Sequence, residues 1–454
     1  MSALARGAAP LAFAALAFTL AVERPAGDPD MWWHLASGRW MVEHRALLRE
    51  DVFSSTALGE PYSVGEWLGQ VGLYLAYAAA GWPGVALLRA VLVAVMAYSL
   101  ARIARRGGVP GWAALPLAGA ALLLSSISWG DRPQLFTLAL FAVTLDLLFV
   151  AWDGRRRVLI ALPPLILLWA NLHGAYPLGI AAAALFALAA PLGGRPAGGF
   201  AAAALVGALL AALSPGALDL PAAAAHAGAP PRFIVEEMPV DPLSPAGATF
   251  AAFVLATLGV ALLRPAPPLL AILLPPLLWL ALSAQRHLSY FTVASIALLA
   301  PALAEVARDR LARLPVLPPR PALALAIALW AGALASATGA PTAPDESVYP
   351  AAALAVLRAG EGTLLNEYDW GGYLIWSAPE RPVFIDGRLF LFVPGVLDEW
   401  RRVVELRPGW QDVLVSRDVH HVLLRPDRAL VVALREDGWR ELVASDGFVL
   451  LERP

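Results

Sequence analysis

Long apolar runs bounded by charged residues constrain this chain more than any other feature. A membrane-spanning helix needs roughly 20 apolar residues, and the sequence contains about eleven runs that approach this length. They predict a polytopic α-helical membrane protein. The predicted spans are 8–22, 82–101, 110–127, 134–151, 158–171, 174–191, 198–213, 247–263, 267–283, 289–304 and 322–339.

The composition supports this interpretation. Of 454 residues, 59% are hydrophobic and only 15% are charged, whereas soluble domains carry about a quarter charged residues. The net charge of −2 leaves no large basic surface, so nucleic-acid binding is disfavoured. The absence of cysteine excludes disulfides, thiolate metal sites and thiol catalysis.

Charge density divides the chain into two parts. Residues 1–340 carry 38 charged side chains, and the 114 residues of 341–454 carry 30. We therefore predict a transmembrane domain at 1–340, with a long first loop at 23–81, followed by a C-terminal domain at 341–454. In the C-terminal domain strands alternate with helices, which predicts a small α/β fold. The predicted strands are 363–366, 383–386, 413–416, 420–424 and a hairpin at 439–452, and the predicted helices are 348–359, 371–377, 395–406 and 428–436.

Arginine placement predicts the orientation, because loops that stay in the cytoplasm are enriched in basic residues. If the spans alternate, the clustered arginines all fall on one side. The N-terminus is then cytoplasmic, and the first loop and the C-terminal domain are outside, whether or not the first span is a cleaved signal peptide. The arginines of this side are Arg6, Arg102, Arg105, Arg106, Arg155, Arg156, Arg157, Arg195, Arg264, Arg308, Arg310, Arg313 and Arg320.

The first loop opens with two carboxylates, Asp28 and Asp30, separated by Pro29 and followed by Trp32-Trp33-His34. Such a pair either binds a divalent cation, Mg or Mn, through oxygen ligands, or supplies a general base toward an acceptor hydroxyl. The alternative is a capping turn on an interfacial helix. Glu66 follows in the same loop.

Polar groups also lie at the outer ends of the predicted spans. Arg132 either binds a phosphate through its planar set of donors or pairs with its neighbour Asp131, and the local ion pair is the simpler interpretation. His173 lies at another junction, where a structural hydrogen-bonded histidine is the usual alternative. Because polar groups near the hydrocarbon are costly, their concentration on one face predicts a single polar cavity roofed by the C-terminal domain.

Two further segments of this face carry charge. Glu237 lies in a long loop, 214–246, of the kind that orders when substrate binds, although a solvated acidic patch is equally consistent. Arg286 and His287 end a span, and the guanidinium of Arg286 suits the phosphates of a lipid-linked donor. Snorkelling of an arginine at a helix end is the alternative.

In the C-terminal domain, NEYDWGG and FIDGR each join a predicted strand to a polar turn, where α/β domains place ligand sites. We predict substrate contacts from Asp369, Trp370, Asp386 and Arg388. The alternative for Asp369 is a helix cap.

Taken together, these features resemble the GT-C class of integral membrane glycosyltransferases, and in architecture the catalytic subunit of oligosaccharyltransferase. That subunit carries a Trp-Trp-Asp-x-Gly motif, to which Asp369 and Gly371 correspond, while Glu367 and Tyr368 replace the tryptophans. This departure disfavours transfer to peptide asparagine. The sequences DPDMWWHL, WGGYLIW and FIDGR are more similar to those of uncharacterised bacterial membrane proteins.

The resemblance implies an enzyme of the bacterial inner membrane that moves a sugar from a polyprenyl phosphate or diphosphate to an external acceptor. It makes Asp28 or Asp30 the catalytic base or metal ligand, Glu237 a mobile-loop acid and Arg286 a clamp on the lipid phosphate. Membrane lipid and the polyprenyl-linked donor are the expected partners. The predicted substrate-binding residues are His34, Glu66, Arg132, His173, Arg286, His287, Asp369, Trp370, Asp386 and Arg388.

Two other functions remain open at this point. A transporter or flippase of a lipid-linked substrate predicts internal repeats and polar residues throughout the spans, but ionisable residues inside the spans are few, chiefly Arg89 and Asp146. A catalytically inactive scaffold would keep the fold and use its C-terminal domain to recruit an envelope enzyme.

Overall fold

Helices occupy all eleven of the predicted apolar runs. The computed structural model describes residues 3–106, 109–217, 235–264, 266–306 and 318–454. Two more helices, α2 and α3, lie in the first loop. In chain order the helices of the first 340 residues are α1 (Ala3–Val22), α2 (Met31–His44), α3 (Trp67–Ala80), α4 (Trp82–Ala104), α5 (Gly111–Ser125), α6 (Gln134–Trp152), α7 (Leu162–Leu172), α8 (Pro177–Leu192), α9 (Gly198–Ala211), α10 (Pro245–Leu263), α11 (Pro268–Ser283), α12 (Leu288–Val306) and α13 (Pro319–Ser336).

Length and composition identify a multi-pass membrane protein. Among the described residues, four helical segments are apolar and long enough to cross a bilayer, namely α4, α6, α10 and residues 285–306. Six further apolar helices are shorter, such as α8 and α9, and short spans cross by local thinning of the bilayer or by oligomerising. The number of crossings stays a prediction.

The C-terminal domain is built on a four-stranded sheet in the order β1-β2-β4-β3. β1 and β2 are parallel, and the other two pairs are antiparallel. The helices cover the sheet with a buried apolar core. The elements are α14 (Leu354–Ala359), β1 (Thr363–Asn366), α15 (Gly371–Ser377), α16 (Leu389–Phe392), α17 (Gly395–Val404), α18 (Trp410–Ser416), β2 (Val419–Leu424), α19 (Ala429–Glu436), β3 (Arg440–Ala444) and β4 (Val449–Glu452).

Three local predictions in this domain were wrong. Residues 413–416 are helical, in α18, because a short apolar run serves a buried helix as well as a strand. The helix predicted at 348–359 is interrupted at Pro350: short 3-10 turns lie at Glu346–Val348 and Ala351–Ala353, and the α-helix, α14, begins only at Leu354. Residues 383–386 form an extended segment outside the sheet, and the side chain of Asn366 binds the backbone of Phe384 and Ile385.

This extended segment joins the C-terminal domain to the first loop. Val383 forms an isolated parallel bridge with Ser54 of the first loop, and the Thr56 hydroxyl donates to the Phe384 carbonyl at 2.5 Å. The first loop thus pairs with the backbone of this segment, which lies outside the four-stranded sheet.

Aromatic packing makes a second contact between the same two regions. Trp32 of α2 is 1% exposed and packs edge to face against Tyr349 and Tyr373, at ring-centroid distances of 5.5 and 5.1 Å. A Cβ added to Gly372 would lie 3.1 Å from the Pro29 carbonyl oxygen, so a larger residue here would require the backbone of the first loop to move by a few tenths of an ångström. The motifs DPDMWWHL and WGGYLIW therefore form one interface.

Candidate functional site

Asp28 and Asp30 lie immediately before the first residue of α2. The Asp28 carboxylate accepts a hydrogen bond from the Asp30 amide at 3.0 Å, which closes the turn through Pro29. The Asp30 side chain makes no capping bond to the helix and instead accepts from the Trp33 indole at 3.1 Å. The capping alternative thus accounts for Asp28, and the Asp30 carboxylate is directed elsewhere.

Arg132, at the start of α6, gathers three carboxylates. Its Nη1 lies 2.9 Å from the Asp30 Oδ2, and its Nε lies 3.2 Å from the Asp28 Oδ2 without the angle of a hydrogen bond. Glu236, in the 3-10 turn Val235–Glu237, binds the same guanidinium with both oxygens. Three negative charges around one positive charge leave a local excess that a proton or a cationic or polarised ligand would relieve.

Two glycines let the surrounding backbone approach these carboxylates. A Cβ on Gly130 would lie 1.8 Å from the Asp28 Oδ2, and one on Gly387 would lie 2.0 Å from the Asp30 Oδ1. Gly387 belongs to the FIDGR motif, so the C-terminal domain lies directly against Asp30. The predicted roof over the polar site is present at this point.

Glu66 is the centre of a second group of polar side chains. Its carboxylate lies 3.2 Å from the His173 Nε2 and 3.9 Å from the His34 Nδ1. The other ring nitrogen of His173 lies 2.9 Å from the Thr137 hydroxyl, which fixes the ring. These residues come from the first loop, α2 and the ends of α6 and α7, and the site is therefore assembled from distant parts of the sequence.

Burial controls the protonation of both groups. It raises the pKa of Asp30 to about 7, against the opposing effect of Arg132 and with the support of Asp28. It likewise raises the pKa of Glu66 to about 7. Burial and the nearby arginines lower the pKa of His173 to about 3 and that of His34 well below its usual value. Near neutral pH the carboxylates exchange protons, and the histidines stay neutral.

Arg286 and Glu237 form the third part of the site. The Arg286 Nη1 lies 2.5 Å from the Glu237 Oε1, and the Arg286 side chain is 38% exposed. His287 does not join them, because its Nδ1 lies 3.2 Å from the Leu280 carbonyl at the end of α11. Glu236 and Glu237 are adjacent in sequence, and they form ion pairs with Arg132 and Arg286 respectively.

The arrangement of Asp28 and Asp30 does not fit a divalent cation. The Arg132 guanidinium already lies against both carboxylates, so an ion between them would meet a positive charge at contact distance. In the part of the chain that the structure describes, no three His, Asp or Glu side chains are grouped to hold a metal ion. Metal dependence stays a prediction, and none of the chemistry below is routed through a metal.

Asp386 and Arg388 are placed in a buried ion-pair network and not beside Asp30 and Arg132. The Arg388 side chain binds both oxygens of Asp386, at 2.8 and 2.6 Å, and also binds Asp51 of the first loop. All three side chains are 0 or 1% exposed. Their contacts hold the first loop against the C-terminal domain. Because these side chains are buried, none of them is accessible for the substrate contacts predicted for Asp386 and Arg388.

Asp369 and Trp370 have partners within the C-terminal domain. Asp369 is half exposed and lies 2.9 Å from the Arg425 Nη2, while Arg425 also covers the ring of Trp370 at 5.4 Å. Trp370 is 3% exposed and donates to the Val348 carbonyl. Asp369 is therefore accessible, whereas Trp370 is a core residue.

Sequence reasoning missed several partners. Asp131 does not pair with Arg132 but with Arg89 of α4, at 2.6 Å, so the two neighbours serve different networks. Glu236 and Asp51 were not assigned roles, since separation in sequence hides both contacts. The one sequence signal for the pair between Asp131 and Arg89 was the presence of a lone arginine, Arg89, in a predicted span. Part of the 214–246 loop and the arginines at 308, 310 and 313 lie outside the described residues.

Comparison with solved structures identifies the architecture. The chain is similar to the Archaeoglobus fulgidus oligosaccharyltransferase in its apo form, over 91% of this chain and 69% of that one, with a TM-score of 0.57 and 14% identity. It is also similar to ArnT from Cupriavidus metallidurans bound to undecaprenyl phosphate, over 99% of this chain and 98% of that one, with a TM-score of 0.54 and 12% identity.

The apo state of the same ArnT matches 96% of this chain and 95% of its own length, with a TM-score of 0.55 and 13% identity. No protein-family model and no curated protein matches the sequence. At these identities the likeness shows the fold alone, and that fold is GT-C-like, as the resemblance predicted.

Proposed function

We propose that this protein is a membrane glycosyltransferase that moves a sugar from a polyprenyl-phosphate-type lipid to an acceptor outside the cytoplasm. The observation that carries the proposal is the Asp30 carboxylate, held between Arg132 and the C-terminal domain in a GT-C-like fold. A solved structural neighbour, ArnT, binds undecaprenyl phosphate, which supports a lipid phosphate as the donor class.

Asp30 is suited to act as the general base. Its raised pKa places proton exchange near neutral pH, where a base is most effective. In the proposed reaction Asp30 takes the proton of an acceptor hydroxyl as that oxygen attacks the anomeric carbon of the sugar. The bond between this carbon and the donor phosphate oxygen breaks, and the electron pair leaves with the phosphate.

Arg132 and Arg286 are suited to bind that phosphate. Each is covered by a carboxylate, Glu236 and Glu237 respectively, and a carboxylate resembles a phosphate in charge and in its paired acceptor oxygens. The donor phosphate would replace both glutamates on the arginines. Displacement of Glu237 would move its loop, which agrees with the role of a mobile-loop acid that the resemblance implies. The arginines then stabilise the leaving phosphate.

Glu66 and His173 are suited to keep the site dry and correctly charged. Glu66 is close enough to His173 to share a hydrogen bond, so it acts as a reservoir for protons near Asp30 without contacting the reacting atoms.

The orientation belongs to the same proposal. The clustered arginines favour a cytoplasmic N-terminus and an inner membrane location in a bacterium. The first loop and the C-terminal domain, which carry Asp30 and its roof, would then face the periplasm. Attachment of a membrane-impermeant label to cysteines introduced at Ser445 and Arg156 tests this: we expect labelling of intact cells at position 445 only.

Donor turnover tests the function. The purified protein in nanodiscs is incubated with polyprenyl-phosphate-linked sugars, and the free polyprenyl phosphate and any glycosylated product are measured by mass spectrometry. We expect donor consumption that Asp30→Asn abolishes. Movement of intact donor across vesicles without covalent product would favour the flippase, and an inert protein that retains a stable envelope partner would favour the scaffold. Chelation by EDTA, with Mg or Mn added back, tests the metal.

A further inference from the structure

The C-terminal domain contains a cavity of about 280 Å³ between the turn that follows β1 (367–369), α17 and Arg428, which precedes α19. The Glu367–Arg428 ion pair forms one side, with two parallel contacts of 2.7 and 2.8 Å to the Arg428 guanidinium. The rings of Tyr368 and Trp400, whose centroids lie 6.2 Å apart at an angle of 55°, form another. The volume is near the lower limit for small-molecule sites, roughly 300 Å³.

The charges that line this cavity largely cancel. Glu367 is 1% exposed and paired with Arg428, and Arg401 and Glu405 lie 3.0 Å apart at the rim. Asp369 is compensated by Arg425. A charged ligand would have to break one of these pairs, so the lining favours a neutral molecule with many hydrogen-bonding groups.

The aromatic side chains narrow the class further. Flat rings next to fixed carboxylates and guanidinium groups suit a ligand with an apolar C–H face and hydroxyls around its edge. A pyranose has both features. Neither a peptide backbone nor an acyl chain matches this combination, because the former lacks the apolar face and the latter lacks hydroxyls.

The turn that carries Tyr368 lies next to the FIDGR segment, because the side chain of the preceding Asn366 binds the backbone of Phe384 and Ile385. Burial raises the pKa of the Tyr368 hydroxyl, and the negative charges of Asp30, Asp386 and Glu236 raise it further. Tyr368 thus lies within electrostatic reach of Asp30, while Gly387 places the FIDGR turn of the same domain against that carboxylate.

We propose that this cavity binds a neutral saccharide, with Tyr368 and Trp400 against the sugar face and Glu405 and Arg428 on its hydroxyls. That this saccharide is the acceptor of the transferred sugar rests on the proposed function, whereas its binding in the cavity does not.

Saturation-transfer NMR on the full chain in nanodiscs tests the proposal, with galactose, N-acetylglucosamine and maltose as neutral probes and glucose 1-phosphate as the anionic comparison. We expect saturable transfer to at least one neutral sugar and weaker transfer to the phosphate. Val404→Phe fills the cavity and should lower binding by about 10-fold or more. Val415→Phe, on exposed α18, is the matched control and should leave binding unchanged.

A second variant guards against misfolding of Val404→Phe. Glu405→Gln at the rim should weaken sugar binding severalfold, whereas Glu441→Gln, in the exposed pair with Arg435, should not. Absence of binding to every neutral sugar, or binding that neither cavity variant changes, would overturn the proposal.

Donor turnover with water as the acceptor, measured on the same samples, separates the two claims. If the donor is consumed but no sugar binds, the inference fails and the proposed function stands. If sugars bind in the cavity but no donor is consumed, the proposed function fails and the saccharide site stands.

Discussion

Two arginines of this protein are each surrounded by carboxylates, yet their surroundings differ. Arg388 is fully buried between Asp51 and Asp386, and the backbone amides of Phe53 and Ser54 also donate to Asp51. Arg132 is 13% exposed and has three carboxylates around it, from Asp28, Asp30 and Glu236, none of which lies in a strand or in the interior of an α-helix.

The difference separates a structural ion pair from a reactive one. Around Arg388 every charge has fixed donors or acceptors, which stabilises the contact of two domains but leaves nothing to bind. Around Arg132 burial raises the pKa of Asp30 to about 7, against the effect of Arg132 itself and with the support of the nearby Asp28 and Glu236 carboxylates. An arginine between carboxylates therefore indicates function only where the surrounding charge is unbalanced and accessible.

The largest expected effect comes from breaking the structural network. Arg388→Met should lower the free energy of unfolding by about 3–5 kcal/mol, because two buried carboxylates lose their partner. Thermal unfolding in detergent measures it, and Arg435→Met, in an exposed pair, should cost about 1 kcal/mol or less. Equal melting temperatures for the two variants would show that the Arg388 network is not structural.

Breaking the reactive cluster should affect turnover instead. Asp30→Asn should reduce the transfer rate by about 100-fold or more through loss of the base, while its melting temperature stays at or above that of the wild type. Asp446→Asn, an exposed carboxylate in the turn between β3 and β4 of the C-terminal domain, is the matched comparison and should retain the wild-type activity. Asp30→Asn with the wild-type rate would refute the assignment of the base.

Removing the carboxylates that pair with Arg132 and Arg286 should increase the affinity for the donor. Glu237→Gln and Glu236→Gln eliminate competitors for Arg286 and Arg132, so the KM for the donor should fall about 2- to 5-fold, the value of a partly exposed ion pair. Arg286→Gln should raise KM. Steady-state kinetics with a fixed acceptor measures both, and a rise in KM for the glutamate variants would mean that they bind donor directly.

The pH dependence of stability and the pH dependence of the rate should both follow the ionisation of Asp30. Because the folded protein holds the Asp30 proton to about pH 7, above the ordinary value of 3.8, it binds more protons than the unfolded chain between about pH 4 and 7. Stability should therefore fall as pH rises through this window, while transfer increases as Asp30 ionises. Melting curves and rates across pH 4–8 test this, and Asn at position 30 should flatten both. A rate that falls as pH rises through 7 would contradict the role of a base.

The sequence predicted secondary-structure elements better than it predicted contacts between residues far apart in the chain. Apolar runs predicted α1 and α4 to α13 but not α2 and α3 of the first loop, and strand–helix alternation predicted β1, β2, α17 and α19, because both patterns are local. The strand predicted at 413–416 failed since a short apolar segment does not distinguish strand from buried helix. The GT-C resemblance was confirmed at the level of fold.

The site was only partly predictable for the same reason. Asp28, Asp30, Arg132 and Glu237 could be singled out by residue type and by the face on which they lie. Which arginine meets which carboxylate depends on contacts about 100 residues apart, such as Arg132 with Asp30 and Glu236, and no local pattern encodes them.

The central claim is that Arg132 and Arg286 hold the donor phosphate beside Asp30. A structure of the protein in nanodiscs with a non-hydrolysable polyprenyl-phosphate sugar analogue tests it most directly. We predict phosphate density between the two guanidinium groups, with Glu236 and Glu237 displaced and the sugar next to Asp30. Density elsewhere, with both glutamates still on their arginines at saturating analogue, would contradict the account.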